Sequence, residues 1–170
     1  MSIPILETKR LILRDMRRSD VESLHILFSD PLTMRFWPVF ERSRTEQWVE
    51  DNLCRYARDG FGLWALTLKG SDEVIGDCGL IVQEAEGVAE TELGYHVRRD
   101  LWGQGLATEA ARACRDYGFD RLGLDRLISL IHLDYIASRR VAEKNGMTLI
   151  KLIQHRGRTR CLYAVECNQR

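Results

Sequence analysis

Two glycines near the middle of the chain are the strongest sign of chemistry in this sequence. They lie in the run 102–107 (Trp-Gly-Gln-Gly-Leu-Ala), the glycine turn, between the strand-like stretch Glu90–Val97 and the apolar-striped segment Leu106–Phe119. Glycine lets the backbone approach a ligand closely, and the first amides of a helix have no intrahelical acceptor and lie at the positive end of its dipole. The turn is therefore predicted to bind an anion such as a diphosphate. A purely structural strand-to-helix turn is the alternative.

The glycine turn differs from the better-known phosphate loops. No Gly-Lys-Ser/Thr follows it, so the lysine and the magnesium-binding hydroxyl of a P-loop are missing. A dinucleotide fingerprint requires a third glycine near position 108, where this chain has Thr108. A nucleotide-binding domain therefore remains only as a weaker alternative.

Composition narrows the class of protein further. The 170 residues suffice for the core of one domain, so a single domain over residues 1–170 is expected. Lysine plus arginine equals aspartate plus glutamate at 25 each, whereas a general nucleic-acid binder shows a basic excess, so no nucleic-acid partner is predicted. No apolar run reaches the length of a membrane span, so no membrane association is predicted. Five scattered cysteines without a Cys-x-x-Cys pair indicate reduced thiols in a cytoplasmic protein and no metal site.

Periodicity and turn residues predict the elements that position the glycine turn. The predicted order is β-α-α-β-β-β-α-β-α-β-β, and short connections between the three central strands favour an antiparallel meander. The predicted strands are Thr8–Asp15, Gly62–Leu68, Val74–Gln83, Glu90–Val97, Leu127–Leu133, Met147–Ile153 and Thr159–Val165. The predicted helices are Ser19–Ser29, Arg44–Asp59, Leu106–Phe119 and Ile136–Asn145.

The strand after the glycine turn predicts where a ligand binds. Leu127–Leu133 is mostly apolar and follows a helical crossover, so it is expected to run parallel to Glu90–Val97. In open α/β sheets ligands bind beyond the carboxyl ends of parallel strands. The glycine turn and the end of Leu127–Leu133 are therefore expected to border one crevice.

Three runs of residues, taken together, point to a known family. They are Leu6–Arg14; Glu92–Tyr95 with the following Trp102–Ala110; and Ala137–Met147. In order and spacing they resemble the first strand, the acetyl-CoA signature and the segment beside the cofactor thiol of the GCN5-related N-acetyltransferases. The resemblance is closest to the branch of the RimJ and RimL ribosomal-protein acetyltransferases, and it extends over essentially the whole chain.

This resemblance implies a fold and a cofactor site. The fold is a mixed α/β sheet, mostly antiparallel and flanked by helices, whose parallel fourth and fifth strands splay apart around the pantetheine of acetyl-CoA. Backbone amides of the glycine turn are implied to bind the diphosphate, and those of the fourth strand the acetyl carbonyl. The implied cofactor-binding residues are Leu93, Gly94, Tyr95, Gln104, Gly105, Leu106, Ala107, Thr108, Tyr135 and Ser138. Tyr135 stands where the family pattern has asparagine: either its hydroxyl replaces that amide or its bulk narrows the channel.

Acetyl transfer to an amine requires a base for the amine, a donor to the thioester carbonyl and an acid for the leaving thiolate. The resemblance implies Glu92 as the base, acting through a water, with Glu90 on the same strand face as second choice. It implies Ser138 as the acid, because RimL-like enzymes carry a serine at this place near the cofactor sulfur; many other members use a tyrosine four residues later, where this chain has Ala142. Solvated strand carboxylates and a serine bonded to its own helix backbone are the alternatives. His155 is a further candidate base, with an ordinary surface position as its alternative.

These features together predict an acetyl-CoA-dependent N-acetyltransferase. The amine is expected to attack the thioester directly, because no cysteine or serine carries the histidine signature of a nucleophile. The resemblance favours a protein N-terminal α-amine as the acceptor and admits a homodimer. A small-molecule amine or antibiotic as acceptor, or a non-catalytic CoA-binding module, is the alternative.

Overall fold

The computed structural model describes residues 4–169 and consists of one mixed sheet with helices on both faces. The strands are β1 (Leu6–Glu7), β2 (Leu11–Arg14), β3 (Leu63–Leu68), β4 (Val74–Ala85), β5 (Val88–Val97), β6 (Arg126–His132), β7 (Thr148–His155) and β8 (Arg158–Glu166). The helices are α1 (Val21–Phe28), α2 (Arg42–Asp59), α3 (Leu106–Asp120) and α4 (Ile136–Lys144), with short 3-10 turns at Arg18–Asp20, Arg99–Leu101 and Cys167–Gln169. The strand order is β1-β2-β3-β4-β5-β6-β8-β7. Within residues 4–169 no helix is both long and apolar enough to cross a membrane.

The predicted first strand, Thr8–Asp15, is wrong at its beginning. Residues 8–10 form a turn that folds β1 back, antiparallel, on β2. The Thr8 hydroxyl accepts a hydrogen bond from the Leu11 amide at 3.0 Å, and the Thr8 amide donates to the Leu11 carbonyl at 3.0 Å. Such side-chain-to-backbone bonds compete with strand pairing, so residues 8–10 form the turn of a hairpin and the strand begins only at Leu11. The fold therefore has one more strand than predicted, and the predicted fourth and fifth strands are β5 and β6.

The other predicted elements are present, with their ends displaced by a few residues. Among these displacements, of one or two residues each, are those at two hairpins that are tighter than expected. Glu86 and Gly87 (φ 53° and 80°) join β4 to β5, and Arg156 and Gly157 (φ 49° and 72°) join β7 to β8. Two-residue turns with positive φ at both positions match the right-handed twist of the paired strands, so pairing continues up to the turns.

The predicted parallel pair that splays is confirmed in β5 and β6. The two strands share a single register pair, Glu92 with Ile128. Beyond it, side chains replace the backbone ladder: the Ser129 hydroxyl donates to the Leu93 carbonyl at 2.7 Å, and the Leu130 amide donates to the Glu92 carboxylate at 3.0 Å. Because the strands diverge, a gap opens between them towards their carboxyl ends.

Two apolar clusters fix the helices to the faces of the sheet. One cluster joins α3 to the central strands through buried residues that include Cys114, Leu80 and Leu93. The other joins α1 and α2 to the opposite face and includes Phe28 and Val49. Alternation along β5 therefore directs Leu93 towards the face that carries α3, and Glu92 towards the face that carries α1 and α2.

The bridge from Ser129 to Leu93 yields a stability prediction. Replacing Ser129 with alanine leaves the Leu93 carbonyl without its donor in a buried position, which lowers the free energy of unfolding by about 1–3 kcal/mol. Urea denaturation of Ser129→Ala against the wild type measures this change. Ser43→Ala, at an exposed position of α2, is the matched control and shifts stability by no more than about 0.5 kcal/mol. Equal stability of the Ser129 and Ser43 variants would contradict the bridging role.

Candidate active site

The glycine turn owes its shape to two residues in the left-handed conformation. Gly103 and Gly105 both have φ of 77°, a region that favours glycine, and α3 begins directly after Gly105. A Cβ atom at Gly103 would meet nothing within 4 Å, and one at Gly105 only the Arg10 guanidinium at 3.7 Å. The backbone conformation, rather than crowding inside the protein, therefore requires these glycines, and the space in front of the turn is open.

The amides implied to bind the diphosphate are free of protein acceptors. In the described part of the chain, the N–H groups of residues 104–108 donate no hydrogen bond to another protein group, whereas the Glu109 amide closes the first helical bond to Gly105 at 3.0 Å. Unpaired amides at a helix N-terminus beside two glycines are suited to phosphate oxygens. This set comprises Gln104, Gly105, Leu106, Ala107 and Thr108, and its role as the diphosphate site stays a prediction.

Arg10 and Glu109 hold the glycine turn in place, a connection that the sequence analysis missed. The Arg10 guanidinium donates to the Gln104 carbonyl at 2.9 Å and forms an ion pair with Glu109 at 2.7 Å. The Glu109 carboxylate also accepts bonds from the Thr8 hydroxyl at 2.6 Å and the Arg10 amide at 2.9 Å. Although burial acts to raise it, these hydrogen bonds leave the pKa of Glu109 below its ordinary value. Through these contacts the β1–β2 turn holds the start of α3 in position.

Glu92 lies in the gap between β5 and β6. Its partly buried side chain accepts the hydrogen bond from the Leu130 amide. Burial raises the pKa of Glu92 to about 7, against the opposing influence of the Leu130 amide and of nearby positive charge, including Arg156 and Arg160. A carboxylate that titrates near neutral pH is suited to accept a proton. The assignment of Glu92 as the base stays a prediction.

The other two candidate bases have different surroundings. Glu90 forms an ion pair with Arg126, which also pairs with Glu166, so its carboxylate is held at the start of β6. His155 lies at the end of β7, beside the hairpin turn, where burial and the charges of Arg156 and Arg160 lower its pKa. Neither residue contacts the Leu130 amide in the gap, and Glu92 therefore remains the first candidate.

Ser138 on α4 and Tyr95 on β5 are joined by two hydrogen bonds. The Tyr95 hydroxyl donates to the Ser138 carbonyl at 2.8 Å, and the Ser138 hydroxyl donates to the Tyr95 oxygen at 3.2 Å. Burial raises the pKa of Tyr95. The resemblance implied only a backbone role for Tyr95. The structure also places the phenol of Tyr95 beside Ser138. This chain has Ala142 at the position where many members of the family carry a tyrosine.

Tyr135 packs against the loop between α1 and α2. It precedes α4, and its ring lies 4.7 Å from that of Phe36, while the Arg35 guanidinium lies 5.5 Å from the Tyr135 ring centroid. Phe36 also stacks on His132 at 4.6 Å. Tyr135 therefore helps to attach this loop to the carboxyl end of β6. Its role towards the cofactor stays a prediction.

A buried pair of titratable groups close to Glu92 was also missed. Asp77 is fully buried and accepts hydrogen bonds from His96 Nδ1 at 2.7 Å and from Trp48 Nε1 at 2.8 Å. Although burial acts to lower it, Asp77 leaves the pKa of His96 above its ordinary value. The alternation Glu92-Gly94-His96 could have placed this histidine on the face of Glu92, but the pairing with Asp77 depends on the register of β4 with β5.

The crevice between two parallel strands, next to a turn of free amides, is the arrangement that the resemblance to GCN5-related acetyltransferases implies. Comparison with known proteins agrees: the family model of the acetyltransferase (GNAT) domain matches residues 10–148. The uncharacterized protein YkkB of Bacillus subtilis (strain 168) is 38% identical over 151 residues, 88% of this chain and 88% of YkkB.

Solved structures share the fold over nearly their whole length. An acetyltransferase from Agrobacterium tumefaciens str. C58 is 28% identical with a TM-score of 0.83, covering 98% of this chain and 96% of that one. RimL, a ribosomal L7/L12 alpha-N-protein acetyltransferase in complex with coenzyme A, is 21% identical with a TM-score of 0.78, covering 96% and 98%. The RimL likeness shows the fold alone.

The chain belongs to the GNAT family of acetyltransferases. It is an N-acetyltransferase, and the acyl donor that such enzymes use is acetyl-CoA. The residues present fit that donor, because open space lies in front of the unpaired amides of the glycine turn and a gap separates β5 from β6.

Gly105 provides a test of the diphosphate assignment. A tryptophan there is expected to fill the space in front of the amides and to weaken acetyl-CoA binding at least a hundredfold, as measured by isothermal titration calorimetry. Gly70→Trp is the matched control, because Gly70 also has positive φ (83°) and open surroundings but lies in the β3–β4 turn. Both changes carry a similar backbone strain of about 1–3 kcal/mol. Equal acetyl-CoA affinity in the two variants would refute the assignment.

Proposed function

We propose that this enzyme, as one catalytic domain, transfers the acetyl group of acetyl-CoA directly to the N-terminal α-amine of a protein. The observation that carries the proposal is the position of Glu92, a carboxylate with a pKa of about 7 on the wall of the gap between β5 and β6. An amine is protonated at neutral pH and has to lose a proton before it can attack a carbonyl. A carboxylate with a pKa of about 7 at this place can accept that proton.

The proposed acceptor enters from the carboxyl end of β6. A cavity of about 680 Å³ lies there, between residues 35–38 of the loop after α1, residues 132–134 and the β7–β8 hairpin. Its walls include the exposed residues Trp37 and Arg158, so its mouth faces solvent. An open mouth suits an acceptor whose first residues enter while its body stays outside, as with a protein N-terminus. The activity of RimL, alpha-N-acetylation of a ribosomal protein, is consistent with this choice.

In the proposed mechanism acetyl-CoA supplies an activated acetyl group as a thioester. Glu92 takes a proton from the incoming amine through a water, and the Leu130 amide fixes the direction in which its carboxylate faces. Backbone amides of Leu93–Tyr95 donate to the acetyl oxygen as negative charge develops on it. Ser138 then protonates the departing thiolate and takes up the second proton that the attacking nitrogen loses as the amide forms, with the Tyr95 hydroxyl holding its side chain in position.

The pKa of Glu92 leads to a prediction about pH. Because the carboxylate is active only when deprotonated, kcat/KM is expected to decline as pH falls through about 7 and to level off above it. Glu92→Gln should remove this dependence and lower turnover by about 10²–10⁴-fold, while calorimetry finds acetyl-CoA affinity unchanged. Glu90→Gln is the matched control and should keep both the wild-type pH profile and the rate within a few-fold. A wild-type profile in the Glu92 variant would remove Glu92 from the mechanism.

The acceptor class is tested with matched peptides. Purified enzyme and acetyl-CoA are incubated with peptides that differ in two features: the N-terminus is free or blocked, and lysine is present or absent. The release of free thiol and the mass of the product are measured. We expect one added acetyl group on the free α-amine and none on peptides with a blocked N-terminus. Acetylation of lysine side chains, or of small amines only, would contradict the proposed acceptor. Acetyl-CoA binding without acetylation of any acceptor would indicate a binding module instead.

A further inference from the structure

Arginines without an ion-pair partner lie in the loop after α1 and on the β7–β8 hairpin, the two segments that border the acceptor cavity together with the end of β6. Arg35, Arg156, Arg158 and Arg160 form no ion pair with any carboxylate in the described structure. Many arginines elsewhere are paired, as in Arg14 with Asp20 at 2.8 Å, and others, such as Arg121, also have no ion pair within residues 4–169 but do not line this cavity. Since acidic and basic residues are equal in number over the whole chain, this local excess indicates a region built to meet negative charge.

Arg160 is the most informative of the four. Only 2% of the residue is exposed, and its Nη1 atom is buried with no hydrogen-bond partner. Its guanidinium lies 4.2 Å from the ring centroid of Trp37. Burial lowers the pKa of Arg160. A buried guanidinium with unmet donors is unfavourable unless an anion pairs with it, and the described residues supply none within bonding distance.

The neighbours of Arg160 place it at the acceptor cavity. In the register of β6 with β8 it is opposite His132, which lines the cavity, and Trp37 beneath its guanidinium lines it as well. Arg35 and Arg158 are part of the same lining, and its one carboxylate, Asp134, lies 3.9 Å from His132. The cavity is therefore positively charged and partly aromatic, a surface that matches carboxylates in bidentate geometry.

Glu92 and Arg160 share one face of the sheet. Glu92 pairs with Ile128, and His132, opposite Arg160, follows four residues later on β6. Four residues of strand span about 13 Å, and the two side chains are close enough for their charges to influence each other. An extended peptide with its amine at Glu92 covers that interval with its first few residues. A carboxylate that meets Arg160 thus belongs to a side chain near the start of the peptide.

We infer that the acceptor is an acidic N-terminus: its free α-amine lies at Glu92, and a side-chain carboxylate within its first three residues pairs with Arg160 and Arg158. This inference rests on the proposed function and narrows it to a substrate class. The reaction itself is unchanged: the amine nitrogen bonds to the acetyl carbon, the thiolate leaves, and the amine proton passes to Glu92.

The test compares isosteric peptides. Peptides of equal length carry aspartate or glutamate at the second or third position, or asparagine or glutamine in its place, and kcat/KM is measured for each. For the wild type we expect a preference of about ten- to hundredfold for the acidic member, as is typical of a hydrogen bond between charged groups. In Arg160→Met the ratio should fall to within about threefold of unity, and added salt should reduce the wild-type preference.

Two further variants guard against a folding defect in Arg160→Met. Arg158→Gln, at an exposed position, should lower the acidic preference several-fold with unchanged thermal stability, whereas Arg121→Gln removes the same charge at an exposed site after α3 and should leave the ratio unchanged. Equal rates on acidic and neutral peptides in the wild type would overturn the inference while leaving the proposed function intact. Failure to acetylate any peptide, with acetyl-CoA still bound, would overturn the proposed function itself. Acetylation of small acidic amines alone would also refute the inference, because the acceptor would not be a peptide.

Discussion

A single register pair between β5 and β6 governs the architecture of this enzyme. Glu92 and Ile128 align the two strands once, and the strands then separate. A fully paired parallel ladder would close the gap through which a long, narrow ligand can pass between these two strands. The Ser129 and Leu130 hydrogen bonds to β5 satisfy polar groups that the missing ladder leaves behind. These two hydrogen bonds stabilise the gap, which is therefore an intrinsic part of the fold.

The second feature of the site, the glycine turn, depends on a distant part of the chain. The β1–β2 turn supplies Thr8 and Arg10, and both reach Glu109 in the first turn of α3. A carboxylate there would repel an anion at the helix start if it stood alone. Because Arg10 and Thr8 bind the Glu109 carboxylate, its negative charge is balanced by Arg10 and its oxygens hold the turn together. The N-terminal run and the acetyl-CoA signature therefore form one physical unit, although nearly a hundred residues separate them in sequence.

Much of this fold, and part of the site, could be predicted from the sequence. Alternation and glycines identified the central strands, α3 and the glycine turn, because these signals are local. The β1–β2 hairpin was missed, because its cause is one threonine hydroxyl that bonds the backbone. The Asp77–His96 pair depends on strand register, and the isolation of Arg160 emerges only when every neighbouring carboxylate has been located in space. Non-local pairing of this kind leaves no periodic trace in a single sequence.

The hydrogen bond from Leu130 to Glu92 has a consequence for the order of events. The carboxylate belongs to one wall of the opening, while its donor belongs to the other. A molecule that wedges the walls apart draws the donor away, and an anion that loses a hydrogen bond holds its proton more strongly. In the proposed function, acetyl-CoA that binds between the strands would in this way raise the pKa of Glu92 before the amine arrives. The width of the gap and the pKa of Glu92 are therefore linked through this one hydrogen bond.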